Sequence, residues 1–177
     1  MRYLVILSIM LSFSFKDADK LSVGKKVPKV ELSGNDGSFF NSGIAWNTTM
    51  LEGNKPSLLM YVDPDKEKEV NNIQSAILKN QLGIKIQVFV IVNIKSTWKP
   101  KFAVEKRLKE RLKENKLIKF VIDNRKIVQN EWVLSENINT VLFIDKSGII
   151  RYNKEGKLSN EEVTELVNVI KKELSDN

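Results

Sequence analysis

The sequence contains neither cysteine nor histidine among its 177 residues. These two absences rule out a disulfide framework, a zinc site built from Cys and His ligands, a thiol nucleophile and an imidazole base. Serine–histidine hydrolysis is ruled out on the same ground. Any chemistry must therefore use carboxylates, lysine, tyrosine, serine or threonine, or a bound cofactor.

The amino terminus lacks an apolar run long enough for a membrane span. The run from Tyr3 to Phe13 falls short of the roughly 20 apolar residues that such a helix needs. Arg2 before the run and the small residues around Ser14 are typical of a signal peptide cleaved near Ser14. The alternative is a buried first helix or strand. We expect export to the periplasm, with a signal peptide over residues 1–14 and a single domain over residues 22–175.

Negative charge is in the minority, since 29 Lys and Arg stand against 22 Asp and Glu, a formal net charge of +7. Nine of the basic residues and only three glutamates lie between Lys99 and Lys119. This segment could hold an anionic envelope surface or partner, or it could simply be a solvated helix face. Nucleic acid is not expected as a partner, because no aromatic residues are interleaved for base stacking. The candidate basic patch is Lys106, Arg107, Arg111 and Lys113.

Apolar periodicity predicts alternating strands and helices. The continuous runs "SLLMYV" and "IKIQVFVIVNI" indicate central strands covered on both faces. Val70, Ile73 and Ile77 predict a helix between them that ends at Gly83, and "KFAVEKRLKERLKENK" predicts a second helix. "KFVID" follows as a short strand, and "NTVLFIDKSGIIRYN" as a hairpin.

Both ends of the predicted domain carry local signals. A turn through Gly34–Gly37 predicts a hairpin-like opening. Ser159 and Glu162 predict a capping box at the start of the last helix. Because the strand–helix–strand unit should form a right-handed parallel crossover, we expect an α/β protein of thioredoxin-like fold, with a central mixed β-sheet flanked by helices and an N-terminal β-hairpin extension.

Several segments resemble known families. "VGKKVPKVELSGNDG", "GNKPSLLMYVDPD" and "NTVLFIDKSGIIRY" are similar to segments of thioredoxin-fold thiol oxidoreductases and peroxiredoxin relatives. The distal half, with "VNIKSTW", "FVIDNRKIVQNEWVL" and "KEGKLSNEEVTELV", resembles a cysteine-free branch, the YtfJ family of periplasmic proteins. That resemblance implies the fold and says little about function.

The resemblance also implies where an active site would lie. Redox relatives place their nucleophilic cysteine at the amino end of the helix after the central strand, where the helix dipole favours a thiolate. Here that position falls within Asp63–Lys66. Relatives also have a cis-proline just before the strand matching "TVLFID", and Asn139 or a neighbour stands there, with a peptide expected to be trans. Thiol–disulfide or peroxidase activity is therefore not expected.

The aspartates of this turn allow three interpretations. Asp63 fits the N-cap of the first helix, Pro64 its first position, and Asp65 its first turn. A carboxylate at a helix amino end has a lowered pKa, which suits a general base poorly. A weak divalent-cation or ligand site is the second interpretation, and a catalytic carboxylate pair is the third.

These observations lead to the hypothesis of a non-enzymatic binding or accessory protein. It would use the face where the thiols would lie to hold a periplasmic protein or peptide, with no catalytic residue, metal or cofactor. Interaction through the basic helix and carboxylate or metal chemistry are the alternatives. The candidate binding residues are Asp63, Pro64, Asp65, Asn139, Thr140 and Trp98.

Overall fold

In the computed structural model, which describes residues 21–176, the central strands build one six-stranded mixed sheet of order β2-β6-β5-β4-β7-β8. The strands are β1 (Glu31–Leu32), β2 (Gly37–Phe39), β3 (Trp46–Asn47), β4 (Ser57–Val62), β5 (Gln87–Asn93), β6 (Ile118–Asp123), β7 (Thr140–Ile144) and β8 (Ile150–Glu155). The helices are α1 (Asn71–Lys79), α2 (Lys101–Glu114), α3 (Ile127–Glu131) and α4 (Asn160–Ser175), with 3₁₀ turns over Thr48–Leu51, Glu67–Val70 and Ile94–Ser96.

Strands β4, β5 and β6 run parallel to one another, and β2, β7 and β8 pair antiparallel with their neighbours. Helices α1 and α2 are the two crossover connections, and they cover the same face because both crossovers advance in the same direction across the sheet. The predicted mixed sheet and parallel crossover are thus confirmed.

Every residue of β4 is buried, as its unbroken apolar sequence predicts. Leu58, Met60 and Val62 point toward α1, α2 and α4, whereas Leu59 and Tyr61 point to the other face. That second face packs against α3 and the N-terminal segment, including the fully buried Trp46 and Trp132. The sheet therefore has a hydrophobic layer on each side.

Helix α4 begins as the sequence predicts. The Ser159 hydroxyl accepts from the Glu162 amide at 3.2 Å, and the Glu162 carboxylate accepts from the Ser159 amide at 2.8 Å. This reciprocal pair satisfies two amide groups that a helix start otherwise leaves unpaired. Leu158 and Val163 are both buried beside the cap, in the same hydrophobic cluster.

The prediction of a hairpin at the start of the domain is wrong in its strand pairing. The turn after Leu32 does not join two paired strands, because β1 pairs with β3 in a separate two-stranded sheet and β2 pairs with β6. The physical reason is burial: the partner of each strand is the one that completes a hydrophobic layer, and these partners are distant in sequence.

Two further differences concern helices. Helix α1 ends at Lys79 with Gln81 in the left-handed region (φ 54°), so Gly83 does not terminate it. Helix α3 has only five residues and was not predicted, because so short a helix shows little periodicity. Within residues 21–176 no helix has the length and apolar character needed to cross a membrane. The proposed signal peptide lies outside the described residues.

Candidate functional site

The turn after β4 is closed by its own first residue. The Asp63 carboxylate accepts from the Asp65 amide at 2.8 Å, and the Lys66 amide donates to the Asp63 carbonyl at 2.9 Å. The chain then makes a 3₁₀ turn before α1 starts at Asn71, whose N-cap, Val70, has no side-chain cap. The prediction that Asp63 caps the helix, with Pro64 as its first residue, is therefore wrong. Asp63 stabilises a preceding turn instead.

Asn139 fixes this turn to the start of β7. Its Oδ1 accepts from the buried Asp63 amide at 2.9 Å, and its Nδ2 donates to the Lys66 carbonyl and the Glu69 carboxylate, each at 3.0 Å. The side chain is fully buried. The peptide bonds of residues 21–176 are all trans, as expected at Asn139. Asn139 therefore bridges the turn and β7 in the region where the resemblance places a cis-proline.

Thr140 is also buried, and its Oγ1 has no hydrogen-bond partner within residues 21–176. Asp63 and Pro64 are buried as well. Four of the six predicted binding residues thus lie largely below the surface, contrary to the expectation that Asn139 and Thr140 present a face to a partner. Only Asp65 and Trp98 are exposed.

Asp65 forms an ion pair with Lys99, with 2.7 Å between the carboxylate and the ammonium, and accepts from the Thr97 hydroxyl at 3.0 Å. The hydrogen bond from Lys99 is the main cause that lowers the pKa of Asp65, and the bond from Thr97 adds to it. A carboxylate held in its charged form is a weak proton acceptor near neutral pH. Among residues 21–176 no group of three or more carboxylates has the geometry of a metal site.

Trp98 stands 84% exposed in the loop between β5 and α2, and Phe102 on the first turn of α2 is 73% exposed. Aromatic residues such as these are enriched at protein–protein interfaces. Trp98 was a candidate binding residue from the sequence, whereas Phe102 was not.

A cleft of about 260 Å³ lies between α1 and α2, directly behind the Asp63–Lys66 turn. Its floor is apolar and comes from the ends of the parallel strands, and its rim carries charged and amide side chains from the helices and the connecting loop. The apolar residues are Val62, Pro64, Val70, Val90, Val92, Ala103, Val104, Leu108 and Phe120, and the polar residues are Glu67, Gln74, Lys99, Arg107 and Arg111.

The predicted basic patch divides in two at this cleft. Arg107 and Arg111 line it: Arg107 Nε lies 3.0 Å from Glu67 Oε1, and Arg111 Nη2 donates to Asn71 Oδ1 at 2.8 Å. The hydrogen bond and charge of Glu67 raise the pKa of Arg107. Lys106 and Lys113 are exposed and do not line the cleft. Residues four apart on α2 thus share the cleft face, a signal that the sequence contained.

One more carboxylate, Asp123, is fully buried at the end of β6. It accepts from the amides of Ile127 and Val128 at 2.9 and 3.0 Å and from the Tyr61 hydroxyl at 3.1 Å. Burial, followed by the charge of Asp123, raises the pKa of Tyr61. Because the Asp123 carboxylate is fully used in starting α3, it is a structural group.

Comparison with known proteins places the fold and the family. The family model described as "Bacterial protein of unknown function (YtfJ_HI0045)" matches residues 21–173. An uncharacterized protein of Haemophilus influenzae is 25% identical over 148 residues, covering 80% of this chain and 77% of its own. The uncharacterized protein YtfJ of Escherichia coli K12 is 24% identical over 180 residues, covering 97% of both chains. The thioredoxin domain of a thiol-disulfide oxidoreductase from Bacteroides vulgatus superposes with a TM-score of 0.57 at 13% identity, covering 84% of this chain and 97% of its own.

Proposed function

The chain belongs to the YtfJ family of bacterial proteins, and from that premise we propose that it is a non-catalytic binding protein whose ligand occupies the cleft between α1 and α2. The single observation that carries the proposal is the cleft itself, about 260 Å³ with an apolar floor and a charged rim. Pockets of this composition, with a few convergent polar groups over apolar walls, are the usual form of small-molecule sites.

The position of the cleft supports the proposal. In sheets with parallel strands, ligands commonly bind outside the carboxyl ends of the strands. Strand β4 is parallel to β5, which is parallel to β6, and helices α1 and α2 make the two connections between them. Val62 and Pro64, at the carboxyl end of β4, both line the cleft.

The chemistry of the neighbouring turn favours binding over catalysis. Thiol exchange needs a thiolate, and the sequence has no cysteine to supply one. Asp63 is occupied by a backbone amide, and Asp65 is paired with Lys99. Asp65 does accept from the Thr97 hydroxyl, but its charge is paired with Lys99, so it is not the free base that activation of a hydroxyl nucleophile requires. The periplasmic location, which rests on residues outside the described part of the chain, belongs to the same proposal.

A second candidate function is favoured by Trp98 and Phe102. These exposed aromatics adjoin Lys99 and Lys101, so the loop offers apolar area together with positive charge. A partner protein would cover that area, since aromatic residues are frequent anchors of interfaces. Binding of a partner through the basic side chains of α2 alone is less favoured, because Arg107 and Arg111 already contact Glu67 and Asn71.

The test fills the cleft and asks whether binding is lost. Ala103 lines the cleft and is half-buried, so Ala103→Trp would occupy much of its volume. Lys109→Trp, exposed on the same helix, is the matched control. Ligand-observed NMR would screen all three proteins against acids, amines and neutral compounds of about 8–15 non-hydrogen atoms.

We expect hits that bind the wild-type protein and Lys109→Trp but not Ala103→Trp. Hits that are indifferent to Ala103→Trp would place binding elsewhere. A library without any hit on the wild-type protein would contradict the proposal. Thermal melts of both variants establish that they remain folded.

A further inference from the structure

The charges around the cleft do not balance. Lys99, Arg107 and Arg111 line it with only one carboxylate, that of Glu67. Two more carboxylates reach these cations from outside the cleft lining: Asp65 pairs with Lys99, and Glu110 lies 3.4 Å from Arg107 Nη1. The Glu110 contact is an i,i+3 pair with both side chains nearly half exposed, so it contributes little.

Arg111 is the cation with the most distant counter-charge, because it shares the Glu67 carboxylate with Arg107, which lies closer to it. Its Nη2 donates to the neutral Asn71 amide oxygen at 2.8 Å, and the Glu67 carboxylate is 3.9 Å away. Its side chain is 17% exposed, against 39% for Lys99 and 43% for Arg107. A guanidinium shielded from water and bonded mainly to a neutral group favours an anion beside it.

The apolar floor of the cleft determines the size and the apolar character of the rest of the ligand. Valine side chains from β4, β5 and α2, with Leu108 and Phe120, form an apolar surface under the rim. An engineered apolar cavity of 150 Å³ accepts benzene, so 260 Å³ has room for about ten non-hydrogen atoms. A polyanion such as a nucleotide is both too large and too polar for such a space.

From this charge and shape we propose that the cleft binds an amphipathic organic monoanion, with its carboxylate on Arg111 and an aliphatic tail of about six or seven carbons on the valine floor. This inference rests on the proposed binding function and narrows it to one ligand class. Lys99 and Arg107 stand on the same rim, where their charge attracts the anion toward the mouth of the cleft.

The test uses probes of equal length and different charge. Isothermal titration calorimetry would compare octanoate, octanol and octylamine on the full mature protein, with acetate as the tail-free acid. We expect octanoate to bind at least tenfold more tightly than octanol, and octylamine not at all. Acetate should bind roughly 100-fold more weakly than octanoate or worse, because each buried methylene adds to affinity.

Variants on α2 then locate the carboxylate. Arg111→Gln should lower the affinity for octanoate about 10- to 100-fold, as expected for a lost hydrogen bond to a charged group. Lys113→Gln, an exposed neighbour on the same helix, should leave binding unchanged. The comparison of octanoate with octanol needs no variant, so it decides the ligand charge even if Arg111→Gln does not fold.

The outcomes separate the two proposals. Equal binding of octanol or octylamine would overturn the monoanion inference and leave a cleft that binds something else. The same conclusion would follow if octanoate did not bind while other compounds bound the wild-type protein but not Ala103→Trp. Equal weakening by Lys113→Gln would mean that general surface charge, and not Arg111, holds the acid.

Discussion

Replacing Asn139 by alanine tests whether one side chain holds the turn beside the cleft. The substitution removes an acceptor from the Asp63 amide and a donor from the Lys66 carbonyl and the Glu69 carboxylate. The Asp63 amide is the costly loss, because Asp63 is 5% exposed and no water can easily replace the amide oxygen. A buried unsatisfied donor costs about 1–3 kcal/mol, and each ordinary hydrogen bond contributes about 1 kcal/mol.

The Lys66 carbonyl and the Glu69 carboxylate are better placed to find water, since both residues are only half-buried. We therefore expect Asn139→Ala to lower the free energy of unfolding by about 2–4 kcal/mol. Urea denaturation followed by circular dichroism measures this difference, and an unchanged slope with urea would show that the unfolding reaction stays the same.

Asn168→Ala is the matched control, because Asn168 is exposed on α4 and alanine is the better helix former. It should change stability by less than about 0.5 kcal/mol or raise it slightly. Hydrogen exchange of the Asp65 and Lys66 amides should quicken in Asn139→Ala alone. A loss below 1 kcal/mol with unchanged exchange would refute the assignment of Asn139 as the bridge.

Three further predictions concern the backbone, a cap and a buried phenol. Gly37→Ala should lower the free energy of unfolding, measured by urea denaturation, by more than about 2 kcal/mol. The reason is that the new Cβ would lie 1.9 Å from the Ile122 carbonyl oxygen. Gly34→Ala, which has open space around it, should cost about 1 kcal/mol in the same assay. Ser159→Ala should cost about 1 kcal/mol in the same assay, and no loss would refute the capping box. Burial, helped by the charges of Glu165 and Glu162, raises the pKa of Tyr152 from 10.0 to about 12. The neutral phenol therefore contributes to the free energy of unfolding below pH 10, and this contribution is lost as the pH rises from about 10 to about 12. The free energy of unfolding of Tyr152→Phe should decline less over that range.

Much of the fold could be predicted from local pattern. The strand "SLLMYV", the long basic helix and the capped last helix each carry a signal within ten to fifteen residues, and all three occur as expected. The pairing of β1 with β3 and of β2 with β6 could not be predicted in this way. Those pairings depend on which distant strand completes a buried layer, and periodicity carries no record of it.

The turn after β4 could be predicted from the sequence, but the cleft beside it could not. The turn after β4 was located from the sequence, and the cleft lies directly behind it. Its lining comes from two α-helices, three strands, a 3₁₀ turn and two connecting segments, and the sequence does not state which side chains meet. Arg111 was singled out for its charge, whereas its position inside the cleft depends on the packing of α2 against β5 and β6. Asn139 was chosen as a surface residue because local sequence does not reveal burial.

Strand β2 has a consequence for how the protein behaves at high concentration. It has only three residues, and it pairs with Val121–Asp123, the second half of β6, whose sequence "IKFVID" is largely apolar. An uncovered apolar edge pairs readily with the same edge of another molecule. The opposite edge, β8, protects itself with the exposed Arg151, Lys154 and Glu155. The three residues of β2 thus shield part of the sheet edge, and we expect a change that detaches them to increase self-association.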